Sequence, residues 1–78
     1  MKIKILRHAR QRMEAYNVEE RLVEDALRSP DSEVPGSAGR RIAQKRLNGY
    51  VLRVIDEKEH NAKVVITVYK ARRERYKV

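Results

Sequence analysis

The stretch Gly39-Arg40-Arg41-Ile42-Ala43-Gln44-Lys45-Arg46-Leu47-Asn48-Gly49-Tyr50-Val51-Leu52-Arg53-Val54 reads as a β-hairpin carrying five cationic side chains and no acidic one. Asn48-Gly49 decides it. A two-residue type I′ turn needs positive φ at both central positions, which only Gly, Asn and Asp reach at low cost. That turn sets Leu47 opposite Tyr50 and pairs Arg46 with Val51, Lys45 with Leu52, Gln44 with Arg53, Ala43 with Val54 and Ile42 with Ile55. One face then holds Ala43, Leu47, Tyr50, Leu52 and Val54, with Arg41 and Lys45 snorkelling at its margin. The other gathers Gln44, Arg46 and Arg53 among Ile42, Val51 and Ile55. Guanidinium groups and an amide grouped on an uncovered sheet face can contact phosphates.

Upstream of the hairpin, Lys2-Ile3-Lys4-Ile5 alternates polar and apolar residues, which predicts a half-exposed strand. From Arg7 to Ala15 the period changes: Leu6, Ala9, Met13 and Tyr16 recur at three- and four-residue steps, the stripe of an amphipathic helix. Asn17 separates this helix from a second one over Val18 to Arg28, either by capping the second or by ending the first in the left-handed conformation. Val18, Leu22, Val23, Ala26 and Leu27 line one side of the second helix, and Pro30 stops it. Residues 30 to 39, rich in Pro, Gly and Ser, predict a loop.

Downstream, residues 56 to 62 predict a polar connection. A last strand follows, with Val64, Ile66 and Val68 turned to the core and Val65, Thr67 and Tyr69 to the open face. Lys70 to Val78 is a basic tail whose pattern fits a helix or an unstructured end. The predicted order is β-α-α-β-β-β in a single domain over residues 1 to 78. This is an α+β fold of two layers, with two helices packed on one face of a mostly antiparallel sheet. The expected core is Ile3, Ile5, Ala9, Met13, Leu22, Val23, Ala26, Leu27, Leu52, Val54, Ile66 and Val68.

A chain of 78 residues makes one small domain. It has no cysteine, so neither a disulfide nor a cysteine zinc cluster stabilises it, and its two isolated histidines do not make a metal site. No cofactor is expected. The lack of a long apolar run or signal-peptide layout points to a cytoplasmic chain with no membrane partner. Its net charge of +8 is segregated: residues 1 to 13 carry +5, 14 to 33 carry −5, 34 to 55 carry +5, 56 to 63 carry −1 and 64 to 78 carry +4. Such a polar field attracts polyanions, with nucleic acid foremost.

Two stretches carry a family resemblance. Ile5-Leu6-Arg7-His8-Ala9-Arg10-Gln11-Arg12-Met13, followed by Val18 and by Val23 to Pro30-Asp31, resembles the start of domain-of-unknown-function family 4258, small prokaryotic domains with a His-Ala-x-x-Arg-Met helix. Gly39 to Arg53 and Val65-Ile66-Thr67-Val68-Tyr69, ending in Arg72-Arg73, resemble that family's hairpin and last strand. The family's element order is similar to that of the RelE and ParE toxins, compact members of a class that includes metal-independent ribonucleases. The chain departs from the family pattern at Leu6 and Glu19, where Ser or Thr suited to helix capping is common.

The resemblance implies a toxin-like, metal-independent ribonuclease or ribosome-directed RNA-cleaving domain of the RelE type, with RNA or the ribosome as target and an acidic antitoxin-like protein as partner. A non-catalytic RNA- or DNA-binding module using the same basic face is the alternative. RNA cleavage without metal needs in-line attack by the 2′-hydroxyl, a base, an acid for the leaving 5′-oxygen and fixed positive charge on the phosphoryl oxygens. Arg46 and Arg53 would supply the charge, joined by Arg72 or Arg73 from the last strand. By the resemblance, Tyr69 is a proton donor or a stacking platform.

His8 is the natural acid or base by its reference pKa, and Arg12, four residues on, shares its helix face. The plainer readings are a solvated face for the arginines, packing for Tyr69 and a helix-start buttress for His8. His60, in a polar stretch, reads as exposed and inert. Nucleic-acid contacts are expected from Arg41, Gln44, Lys45, Arg46, Arg53, Thr67, Arg72 and Arg73. If the helices cover one sheet face, His8 and Arg12 cannot share the centre of the other with Arg46 and Arg53.

Overall fold

The computed structural model describes residues 2–76 and 78. The chain runs β1 (Lys2–Ile5), α1 (Arg7–Ala15), α2 (Glu20–Arg28), β2 (Ser32–Pro35), β3 (Arg41–Arg46), β4 (Tyr50–Glu59) and β5 (Ala62–Arg72), with short 3₁₀ turns at Ser37–Gly39 and Arg73–Arg75. Among the described residues, five strands form one sheet in the order β1-β5-β4-β3-β2. Only β1 pairs in parallel, with β5. The remaining ladders are antiparallel.

Both helices bury their apolar stripes on the same sheet face. Ala9 and Met13 of α1 and Val23, Ala26 and Leu27 of α2 cluster with Ala43, Leu52, Val54, Val65 and Val68 of the strands, while Ile3, Ile5, Tyr16, Leu22 and Leu47 pack at the edge of the cluster. α1 ends as a Schellman motif: Asn17 takes φ 56°, its N–H donates to the Glu14 carbonyl at 3.1 Å, and the Val18 N–H donates to the Met13 carbonyl at 2.7 Å. Val18 and Met13 meet in the core beneath it. Asn17 is therefore the terminator of the first helix, and the second begins at Glu20 rather than Val18.

The hairpin register is the one its turn predicts, from Ile42 opposite Ile55 to Arg46 opposite Val51. Arg46 and Arg53 share a face. The turn itself differs, because positive φ is confined to Gly49, at 80°, the φ pattern of a type II turn rather than type I′.

The predicted loop over residues 30 to 39 contains an edge strand. β2 is stitched to β3 by a Gln44 Nε2 to Ser32 Oγ hydrogen bond of 2.8 Å, and Pro35 sits at its end, where an edge strand tolerates a missing N–H. The predicted polar connection over 56 to 62 is strand for most of its length: Asp56 to Glu59 pair with β5, which β1 flanks on its other side, Lys58 and Glu59 face water while Asp56 is buried, and only His60 and Asn61 remain to turn the chain.

A β-bulge corrects the face assignment of β5. Ile55 pairs with Thr67 and Asp56 with Val65, which leaves Ile66 without a partner on β4. The extra residue reverses the alternation, so Val65 and Val68 both reach the helix-covered core, and Val65 takes the place expected for Ile66. The basic tail continues β5 to Arg72, makes one 3₁₀ turn and returns Tyr76 over the sheet. Lys77 of that stretch lies outside the described residues. Among the described residues no helix is long and apolar enough to cross a membrane.

Candidate nucleic-acid interface

The sheet face turned away from the helices carries a polar row that crosses four strands. Pairing places Ser32 beside Gln44, Gln44 beside Arg53, and Arg53 beside Tyr69. Arg53 sits at its centre and is only 9% exposed, although no helix covers this face. A guanidinium carries its charge at any physiological pH, so burying it demands compensation. Here tyrosines supply it. Nη1 donates to the Tyr69 hydroxyl at 2.5 Å, and the Tyr76 ring lies with its centroid 3.9 Å from the guanidinium carbon, against 5.6 Å for Tyr69.

The two phenols interact beside Arg53, and their environments push them in opposite directions. Burial raises the Tyr69 hydroxyl above the ordinary tyrosine value, its bond to Tyr76 adds to this, and Arg53 opposes it. Tyr76 is lowered, first by its interaction with Tyr69; burial opposes this, and Arg53 and Arg75 add to the lowering. Tyr69 therefore remains a neutral donor at neutral pH. Among the described residues no carboxylate pairs with Arg53, and its Nε has no hydrogen-bond partner.

Of the residues expected to act together, the structure joins Gln44, Arg53 and Tyr69 in one row. Arg46 stands on the same face in the next row, opposite Val51, and is exposed. Thr67 stands one row to the other side, opposite Ile55. The rest are elsewhere. Arg41 pairs with Glu33 at 2.7 Å, and Lys45 donates to the Ser29 carbonyl at 2.8 Å; both occupy the margin of the helix-covered face, as their register requires.

Arg72 is opposite Tyr50, which by alternation puts it on the helix side, and Arg73 opens the exposed 3₁₀ turn. His8 and Arg12 are exposed on α1, whose buried residues Ala9 and Met13 face the core. The sheet separates them from Arg53. His60, at φ 52°, turns the chain between β4 and β5 and is exposed.

Tyr76 is the member of the site that periodicity does not reveal. It follows the run Arg72-Arg73-Glu74-Arg75, and no hydrophobic pattern links it to β4. Its only sequence signal is an aromatic residue set in a basic segment. Among the described residues no group of three or more His, Asp or Glu side chains is placed to hold a metal ion.

Residues 5–70 match the model of a family described as a domain of unknown function, DUF4258. The chain belongs to that family. No curated protein and no solved structure matches it. Within this DUF4258 chain, Gln44, Arg53 and Tyr69 lie inside the matched segment and Tyr76 lies six residues beyond its end.

Proposed function

We propose that the open sheet face binds single-stranded RNA, with Arg53 at the centre of the contact. One observation carries this reading: an arginine nine-tenths buried, its guanidinium free of any carboxylate among the described residues and held against tyrosines on the sheet face that the helices leave uncovered. Guanidinium planes and aromatic rings are the platforms on which unpaired bases stack, and a charged N–H lacking an acceptor suits a phosphate oxygen. Exposed Arg46 and Arg73 extend the positive field along and beyond the row, where phosphates of the same strand would lie. An acidic, antitoxin-like protein would meet the same field. The reading suits a cytoplasmic protein.

A second reading, RNA cleavage of the RelE type, is favoured by the Tyr69–Tyr76 pair. Two interacting titratable groups whose environments drive their pKa values apart are the arrangement from which acid and base roles arise. In this reading Arg53 holds the phosphoryl oxygens, Tyr69 protonates the leaving oxygen and Tyr76 is the candidate base.

Fluorescence anisotropy with a labelled single-stranded RNA, at stepped salt, tests the binding reading. Affinity should fall steeply with salt, and Arg46→Ala should weaken binding to all sequences and reduce the log–log salt slope by about one. Single-stranded DNA and duplex RNA of the same sequence show whether unpaired bases and 2′-hydroxyls matter. No binding to RNA at low salt would overturn both readings.

A further inference from the structure

We infer that Tyr76 occupies the seat of a nucleobase, so that the segment Arg73–Tyr76 and a single RNA strand compete for Arg53. The inference rests on the RNA-binding reading and adds what the site takes and how access to it is controlled. Its geometric basis is the stack itself. A flat six-membered ring has its centroid 3.9 Å from the Arg53 guanidinium carbon, and its phenol is close enough to Tyr69 to influence that hydroxyl. A pyrimidine or purine can repeat both contacts, with its π-face on the guanidinium and its heteroatom edge on Tyr69.

A second observation concerns what the ring does not satisfy. The Nε of Arg53 is buried with no partner among the described residues, a costly state for a charged donor. The Tyr76 phenol does not supply an acceptor to this N–H. A nucleotide brings a phosphate as well as a ring, and so supplies the missing acceptor.

The segment is also weakly tied. After Arg72 leaves the ladder opposite Tyr50, the tail makes one 3₁₀ turn, a Tyr76 N–H to Arg73 carbonyl bond of 3.2 Å within itself, and a loose Arg72–Glu74 ion pair of 3.9 Å between exposed side chains. Among the described residues, its grip on the sheet is the Tyr76 stack on Arg53 and the phenol's interaction with Tyr69. Among the described residues, lifting it breaks no ladder hydrogen bond, and it leaves Arg73 and Arg75 free to meet phosphates. A site populated mainly in its closed form binds more weakly in proportion to its open fraction, so a stack of ordinary strength lowers apparent RNA affinity about 5- to 30-fold.

The test titrates a labelled oligouridine and an abasic strand of equal length against wild-type protein, Tyr76→Ala and Tyr76→Phe. Tyr76→Ala should bind oligouridine about 5- to 30-fold more tightly, while the abasic strand, which gains only the phosphate contact to Arg53, should gain distinctly less. Tyr76→Phe, which keeps the stack and loses the phenol's interaction with Tyr69, should show a smaller gain. In the wild type, saturating oligouridine should move the Tyr76 ring resonances to those of an exposed tyrosine and shift the Arg53 Nε–H.

Equal or weaker oligouridine binding by Tyr76→Ala, with the wild type still binding, would overturn the competition and leave the RNA-binding reading standing. An equal gain on the abasic strand would show a plain obstruction and overturn the base seat. If neither wild type nor Tyr76→Ala binds RNA, both readings fall.

Discussion

Asp31 holds Arg46 twice: Oδ2 accepts the Arg46 backbone N–H at 2.6 Å and lies 4.0 Å from the Arg46 guanidinium. Just before β2, this carboxylate finishes the β2–β3 pairing, and the Asp31 N–H donates to the Gln44 carbonyl at 2.8 Å. The backbone bond, chiefly, lowers the Asp31 pKa, helped by Lys45 and Arg46. A carboxyl lowered by folding stabilises the fold above its unfolded value of about 3.9, and the contribution is lost as pH falls through the folded value.

Urea midpoints should therefore separate wild type from Asp31→Ala at neutral pH and converge at about pH 2. The gap should be small, because both residues are solvated and water replaces the lost acceptor. A gap that stays constant with pH would show that the side chain acts through its shape and not its charge.

Asp56 should behave in the opposite sense. It lies between Arg41 of β3 and Val65 of β5, is 2% exposed, and its Oδ1 has no hydrogen-bond partner among the described residues. Burial raises its pKa, and Lys63 and Arg41 recover only part of that effect, with Glu33 working against them. The ionised carboxylate thus destabilises the fold above its raised folded value, and the cost disappears as pH falls toward the unfolded value near 3.9. Asp56→Asn should raise the melting temperature at neutral pH, and the gain should shrink on acidification. A loss of stability at neutral pH would mean that attraction to Lys63 and Arg41 outweighs burial.

Both helices begin without a side-chain cap. Leu6 and Glu19 hold the N-cap positions in extended backbone, and neither makes a cap hydrogen bond among the described residues. A Ser or Thr hydroxyl there accepts an orphan N–H of the first turn and adds about 1 kcal/mol. Leu6→Ser and Glu19→Ser should each raise stability by roughly that amount in denaturant melts, and the two should add, because the helix starts are independent. Leu6 is 38% exposed, so its replacement also gives up some packing, which offsets part of the cap's gain. If Leu6→Ser destabilises, the leucine contributes packing that outweighs the cap.

What the sequence showed follows from how local each signal is. The hairpin register and the α1 boundaries depend on neighbours in the chain, Asn48-Gly49 and the Ala9–Met13 spacing, and both match the structure. The turn type was missed because Asn permits positive φ without requiring it. Ile66 was misplaced because a bulge inserts one residue without changing composition, and the branched run Val64-Val65-Ile66 fits either alternation. β2 was hidden by Pro35 and its serines, which suit an edge strand as well as a loop. Tyr76 was out of reach. Its place over Arg53 is set by where a 3₁₀ turn aims the tail, which no period encodes.

Cleavage is the sharpest test of the second functional reading. If the chain cuts RNA with the open-face residues, it does so through proton transfer and fixed charge, so activity should survive EDTA and leave 2′,3′-cyclic phosphate or 3′-phosphate ends. Loss of a placed proton-transfer group costs on the order of 10²- to 10⁴-fold in rate. Tyr69→Phe should lower the single-turnover rate by such a factor, while keeping the ring beside Arg53 and the fold intact.

Arg53→Met should abolish cleavage by removing the charge from a site shaped for it. His8→Ala and His60→Ala should leave the rate unchanged, because His8 stands exposed on α1 behind the sheet and His60 is in the exposed β4–β5 turn. A defect in His8→Ala alone would move the chemistry to the helix layer. A requirement for Mg²⁺ would discard the tyrosine mechanism and leave Arg53 as a binding residue only.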